Sequence, residues 1–354
     1  MDQSFFKTAC IILLVAAGLS GCTFLGFRVG PSGGSGTRGE QGRGSIFKSI
    51  NKGDTFAEKI KINEKRTLSG ITVAQLQFDP QDSLTLYLLA RKKGLWVSYN
   101  GAETWERLII APIDAFALDP TKRGVIYTAQ KEQIFKSAGG GSVWTKIFSE
   151  NSCNPITALA VNPSASSHLY AATKNGIVFE SNDQGASWRV LKKLKARTVN
   201  GIIINPKNAR EMYLTTRLEG IFKSTDYGAN WGILLGLKTF KGSENLGAFK
   251  LNPQNPAHLF AGTMRGFFIS KDGGGTWTAL KLLTGTQSTK ITAVGFNPFN
   301  ERELYYAVEN ALYKTIDSGG SWSILELPAA RPAVEILVDD FDTNIMYIGV
   351  GSES

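Results

Sequence analysis

An all-β ring of seven four-stranded blades, a β-propeller, is the fold the sequence predicts, on three observations. The stretch SNDQGASW (181–188) recurs as STDYGANW (224–231), SKDGGGTW (270–277) and TIDSGGSW (315–322), with looser copies at SYNGAETW (98–105) and SAGGGSVW (137–144). The tryptophans of these boxes, Trp105, Trp144, Trp188, Trp231, Trp277 and Trp322, stand 39 to 46 residues apart, the length of one blade. Each interval holds four short apolar runs separated by turn residues, the content of a blade.

Each unit opens with an apolar strand that ends in Asn-Pro or Asp-Pro, as in QLQFDP (to Pro80), AFALDP (to Pro120) and ALAVNP (to Pro163). A turn follows, then a second strand of the type HLYAAT (168–173), a short polar link, a third strand of the type GIVFES (176–181), the box, and an outer strand after the tryptophan. In the box, Asp183, Asp226, Asp272 and Asp317, with Asn100 in the first copy, are expected to accept backbone N–H groups two residues on, and the glycine at the fifth position to supply φ > 0. The tryptophan is expected to bury its ring against the neighbouring strands. Folding alone then accounts for the repetition.

After the sixth box, AVEILVDD (333–340) and NIMYIGV (344–350) repeat the first two strands of a unit, and the other half lies at the start of the domain. GSIFKS (44–49) resembles a third strand, and SINKGDTF (49–56) is a box with Asn51 for Asp and Phe56 for Trp. N-terminal strands therefore complete the seventh blade, and closure removes exposed sheet edges.

These boxes resemble the BNR, or Asp-box, repeat of sialidases, sortilin-type receptors, certain glucanases and the photosystem II assembly-factor family. The resemblance implies a structural box on the face opposite the usual ligand face. It also implies a platform role for the basic patch, as in the assembly-factor type.

The chain has 354 residues, 42% hydrophobic and 19% charged, with a formal charge of +9, a composition of the globular class that can bury a large core. Its start, MDQSFFKTACIILLVAAGLSGC, has Lys7, an apolar run from Ala9 to Gly18 and LSGC ending at Cys22, and resembles a bacterial lipoprotein signal. The run is shorter than the ~20 residues of a membrane span. The implied organisation is a signal peptide (1–21), a lipidated Cys22 opening a Gly-rich tether (22–43), and the propeller (44–354). The expected location is the cell envelope, on the outer face of the plasma membrane or on the outer membrane. Cleavage would remove Cys10 and lipid would consume Cys22, so Cys153 is expected to lack a disulfide partner and to be a bystander.

Charge segregates between the two ends of the blades. Strand one-to-two turns and boxes collect aspartates. The links between second and third strands carry Arg91, Lys92, Lys93, Lys131, Lys174, Arg217 and Arg265, with Arg197, Lys238 and Lys290 among those on or near the blade-to-blade connections. A face of one sign attracts partners of the other. The expected function is a non-catalytic scaffold, monomeric, anchored by lipid and binding an acidic protein partner. In the long segment Gly232–Gly247, Leu235, Leu237 and Phe240 add apolar side chains suited to protein contact, with at least one of them expected to bury against the next blade.

The rival reading is a glycan-binding protein or glycoside hydrolase of the same repeat type, for which Glu132, Glu219 and Glu309 in the links are the candidate carboxyls. No Cys/His spacing suits zinc, and His168 and His258 read as solvated turn residues. The glycine runs fall in box hairpins, not between a strand and a helix, so no phosphate loop is present. Neither cofactor nor metal is expected, and export argues against nucleic acid.

Overall fold

A computed structural model describes residues 45–195, 198–284 and 290–351. Among them, seven four-stranded antiparallel sheets follow one another around a ring. The signal segment, Cys22 and the tether lie outside the described residues, as does Arg197.

The inner strands are Gln75–Asp79, Ala115–Leu118, Ile156–Val161, Val199–Ile204, Leu246–Leu251 and Ala293–Asn297 in blades 1 to 6, and Ala333–Val338 in blade 7. Blade 7 is shared between the two ends of the domain. Its inner pair, Ala333–Val338 and Met346–Val350, comes from the C-terminal end, and its outer pair, Ile46–Ser49 and Ala57–Glu58, from the N-terminal end. The join is antiparallel, from Ile46 opposite Gly349 to Ser49 opposite Met346. Outside the blades, Lys61–Asn63 and Arg66–Thr67 form a small hairpin that the sequence pattern does not announce. Trp105 holds this segment, its backbone N–H donating to Lys61 O (2.9 Å) and its indole to Lys59 O (2.9 Å).

Two kinds of turn repeat. At the end of each inner strand an Asx residue caps its own turn: Asp79, Asn162 and Asn252 each accept the N–H two residues on through Oδ1 (2.9 Å). In the box the aspartate reaches four residues on rather than two, and the preceding serine does as much. Ser181 Oγ accepts from Gly185 N (2.8 Å) and donates to Asp183 Oδ1 (2.7 Å), which also accepts from Ser187 N (2.9 Å). The turn places two consecutive residues in the left-handed region, Gln184 (φ 60°) and Gly185 (φ 91°), so the fifth-position glycine is one of a pair. In four boxes the indole N–H closes back on that glycine's carbonyl, as from Trp188 to Gly185 (3.2 Å). Trp105 and Trp277 are buried, whereas Trp144, Trp188, Trp231 and Trp322 are half-buried.

Adjacent blades are joined through the boxes. Lys223, on the third strand of blade 4, sends its ammonium to the Gly273 carbonyl in the box of blade 5 (3.0 Å), and lies 5.5 Å from the Tyr213 ring centre. Lys48 and Tyr347 of blade 7 both donate to Gly101 O in blade 1 (3.1 and 3.2 Å). The recurring Phe-Lys-Ser of the third strand is therefore an inter-blade lock. Seven apolar clusters fill the spaces between blades, each drawing buried residues from neighbouring sheets.

Candidate functional site

The up-and-down topology sends first turns and boxes to one end of the ring, the box end. It sends the links between second and third strands to the other, the link end. Each end offers a surface.

At the link end, Lys92, Lys93, Lys131, Lys174, Arg217 and Arg265 are exposed. Arg91 is half-buried instead. Its guanidinium donates to Asp114 O (2.7 Å), and burial, opposed by Asp114, lowers its pKa, so it serves the connection between blades 1 and 2. Lys131 caps the same connection through its N–H to Asp114 Oδ2 (2.7 Å). Partial burial, and then the nearby Arg217 guanidinium, lower the pKa of Lys290. Arg265 packs over Gly242, where an added Cβ would fall 2.8 Å from its Nε, so the connection between blades 4 and 5 supports it.

That connection holds a short helix, Leu235–Lys238, where the outer strand of blade 4 stops after Gly232–Ile233. Of Leu235, Leu237 and Phe240 in this segment only Leu235 is exposed. Leu237 is buried in the cluster that contains Trp277, and Phe240 packs on Phe268 with ring centres 4.8 Å apart. The expectation of an apolar contact patch there therefore holds for one side chain alone. Exposed Leu218, Met264 and Leu283 lie at the same end.

At the box end the axis opens into a cavity of about 450 Å³. Its lining includes Phe78 and Pro80 from blade 1, Phe296 from blade 6, and Leu337, Asp340 and Phe341 from blade 7. Lys250 of blade 5 crosses it, its Nζ 2.6 Å from Glu335 Oε1 and also donating to Ile336 O, both on blade 7. Asp340 has its carboxyl pKa raised by desolvation and by Asp339, with Lys250 opposing. No residue-by-residue signal foretells this cavity, since it is assembled from five blades.

The aspartates expected to make this end acidic are largely committed to turns. Asp79, Asp119 and Asp339 are buried and accept backbone N–H groups. Hydrogen bonds from Ser187 and Ser181 hold Asp183 at about 2, and those from Thr276 and Ser270 hold Asp272 at about 2. Asp226 and Asp317 are lowered by equivalent bonds.

Other expected roles are placed as follows. His258 is buried, not solvated, with Nδ1 3.0 Å from Glu301 Oε1. Cys153 is disulfide-bonded, which corrects the reading of it as a thiol without a partner. Glu132, Glu219 and Glu309 sit in three separate links. Tyr305 Oη donates to Glu303 Oε1 (2.6 Å), but both residues are buried, and burial followed by Glu303 raises the phenol pKa, the reverse of an activated nucleophile. Among the described residues no His, Cys, Asp and Glu group could hold a metal, and no helix is long and apolar enough to cross a membrane.

No protein-family model and no curated protein matches the chain. Solved structures do. The GH74 xyloglucanase from Xanthomonas campestris superposes with TM-score 0.67 at 17% identity, over 80% of this chain and 51% of that one. The GH74 enzyme from Niastella koreensis gives 0.64 at 16%, over 86% and 53%. The chain thus spans about half the length of these enzymes. YCF48 from Cyanidioschyzon merolae gives 0.62 at 12%, over 79% and 95%, and a YCF48 bound to D1 peptide gives 0.61 at 14%, over 83% and 99%. At these identities the likeness is one of fold: the chain is similar to both as a seven-bladed β-propeller.

Proposed function

We propose that the protein is a non-catalytic, lipid-anchored scaffold of the cell envelope that docks an acidic protein partner on its link end. The observation that carries this reading is the exposure of Lys92, Lys93, Lys131, Lys174, Arg217 and Arg265 on separate links at one end of the ring. A surface of one sign attracts a partner of the other and raises its rate of association. The YCF48 structure with a bound D1 peptide supports the reading, since a propeller of this size takes a peptide ligand. The lipobox at Cys22 supplies the anchor.

The test is site-specific photo-crosslinking in intact cells from Leu218 at the link end and from Thr121 at the box end. Acidic proteins captured from Leu218 and absent from Thr121 support the proposal. The same proteins from both positions, or none acidic, contradict it.

The GH74 likeness favours one second reading, a glycoside hydrolase. Such an enzyme needs two carboxyls facing one another across a sugar. The axial cavity holds Asp340 at its mouth, while Glu335 beside it is engaged by Lys250. Release of reducing sugar from xyloglucan that is lost in Asp340→Asn establishes this reading, and no release rejects it for that substrate.

A further inference from the structure

The seven blades are copies of one unit, so each position has six internal controls. After the inner strand, six blades write Pro at the first turn position: Pro80, Pro120, Pro163, Pro206, Pro253 and Pro298. Blade 7 writes Asp340 there. At the next position blades 1 to 5 have Gln81, Thr121, Ser164, Lys207 and Gln254, all polar, whereas blades 6 and 7 have Phe299 and Phe341. The Asx residue alone makes the turn, as Asp339 does through its Oδ1 to Phe341 N (2.7 Å) and Asn297 does to Phe299 N (3.0 Å). Folding therefore has no need of either phenylalanine.

Both are left in water. Phe341 is 78% exposed and Phe299 63% exposed. The second box position repeats the pattern, with Ile316, Ile50 and Tyr99 exposed in blades 6, 7 and 1, against Asn182, Thr225 and Lys271 in blades 3, 4 and 5. At these two turn positions the large exposed apolar side chains fall in blades 6, 7 and 1, and Phe341 also lines the axial cavity. Large exposed apolar side chains gathered near a concave opening mark a contact site.

The geometry points to a second docking site in blades 6, 7 and 1 at the box end, for a protein segment that inserts an apolar side chain into the axial cavity and sets a Lys or Arg against Asp340. Charge selects this occupant over others. Asp340 lines the mouth, and among the described residues no basic group lies within ion-pair distance of it. Burial and Asp339 already disfavour its negative charge, which a cation from the partner would restore. An anionic bilayer would meet Asp340 and the exposed Asp342 as repulsion. This site is separate from the link end and takes a partner of the opposite charge.

The experiment selects a displayed random peptide library on the full chain and measures the enriched peptides against Phe341→Ser and Asp340→Lys. Phe341 and Asp340 are both exposed at the cavity mouth, so both variants should melt with the parent. The site predicts enriched sequences with an aromatic or branched apolar residue adjacent to Lys or Arg, about tenfold weaker binding to each variant, and unchanged binding to Lys174→Glu/Arg217→Glu. No enrichment, enrichment of acidic sequences, or equal binding to the parent and both variants overturns it. So does flotation of the parent chain with phosphatidylcholine vesicles that Phe341→Ser abolishes in a form of the chain with Cys22→Ala, since the sector would then be a membrane contact.

Discussion

The ammonium of Lys223 lies 3.0 Å from the carbonyl oxygen of Gly273, so a side chain of blade 4 is bonded to the box of blade 5. Lys48 makes the same bond to Gly101 between blades 7 and 1 (3.1 Å), and Lys136 reaches Gln184 O between blades 2 and 3 (3.3 Å). A box therefore does two things. Its serine and aspartate fix a turn with two left-handed residues, and that turn presents a carbonyl to the preceding blade.

Replacing Lys223 by Met keeps most of the aliphatic stem but removes the bond to Gly273 and the ion pair with Glu211 (3.3 Å). The expected cost is about 1–2 kcal/mol in chemical denaturation. A variant as stable as the parent would show the lock to be energetically idle.

Gly185 has φ 91°, and a Cβ there would lie 2.4 Å from Ile147 Cδ1 of blade 2. Gly185→Ala should lower stability by about 1–3 kcal/mol through strain and overpacking. Gly232, where an added Cβ meets nothing within 4 Å, is the control. Its alanine variant should stay within about 0.5 kcal/mol. Similar losses in both would contradict the packing described.

The box aspartates make an acid-sensitive element. Asp183 and Asp272 titrate at about 2 in the folded chain, and Asp226 and Asp317 are also lowered, whereas unfolded aspartate titrates near 3.9. With folded pKa values depressed, the unfolded state binds protons first. The stabilisation is complete above about pH 4 and is lost as pH falls toward about 2. Asn51 and Asn100 already fill this position, accepting Thr55 N and Thr104 N at 2.9 Å and donating to the same threonines' Oγ1. Changing the four aspartates to Asn should therefore leave a folded propeller whose melting temperature falls less steeply with acid. An unchanged acid slope would mean that other carboxyls control it.

Deleting 333–354 removes the inner half of blade 7 and leaves Ile46–Ser49 without its partner strand. The truncated chain should lose its sharp melting transition. A truncation that melts as sharply and as high as the parent would show that closure is dispensable.

Much of this architecture is legible in the sequence because a repeat states the same instruction many times. The spacing of the tryptophans counts the blades, and GSIFKS at 44–49 reveals the strand that closes the ring. The box end and the link end follow from strand order alone. What is not legible depends on which neighbour a side chain meets. Arg91 resembles the other link cations in sequence, yet it is bonded to Asp114 of a connection more than twenty residues on. Leu237 looks exposed on a polar segment until the short helix turns it against Trp277. The axial cavity joins residues from Phe78 to Phe341, so no local pattern describes it. The departure of blade 7 from Pro to Asp340 is visible in the sequence, but it gains meaning only beside that cavity.

The central claim is that the link end is an electrostatic platform, and exposed charges of this kind contribute only about 0.2–1 kcal/mol each. The direct measurement is the affinity of the full chain for fluorescein-labelled poly-Glu at low and physiological salt. The parent is compared with a triple reversal of Lys174, Arg217 and Arg265 to Glu and with a matched reversal of exposed Lys122, Lys271 and Arg302 at the box end. The account predicts that the link-end variant binds more weakly and loses most of its salt dependence, while the box-end variant follows the parent and all three melt together. Equal weakening in the two variants would reduce the effect to net charge and contradict the platform.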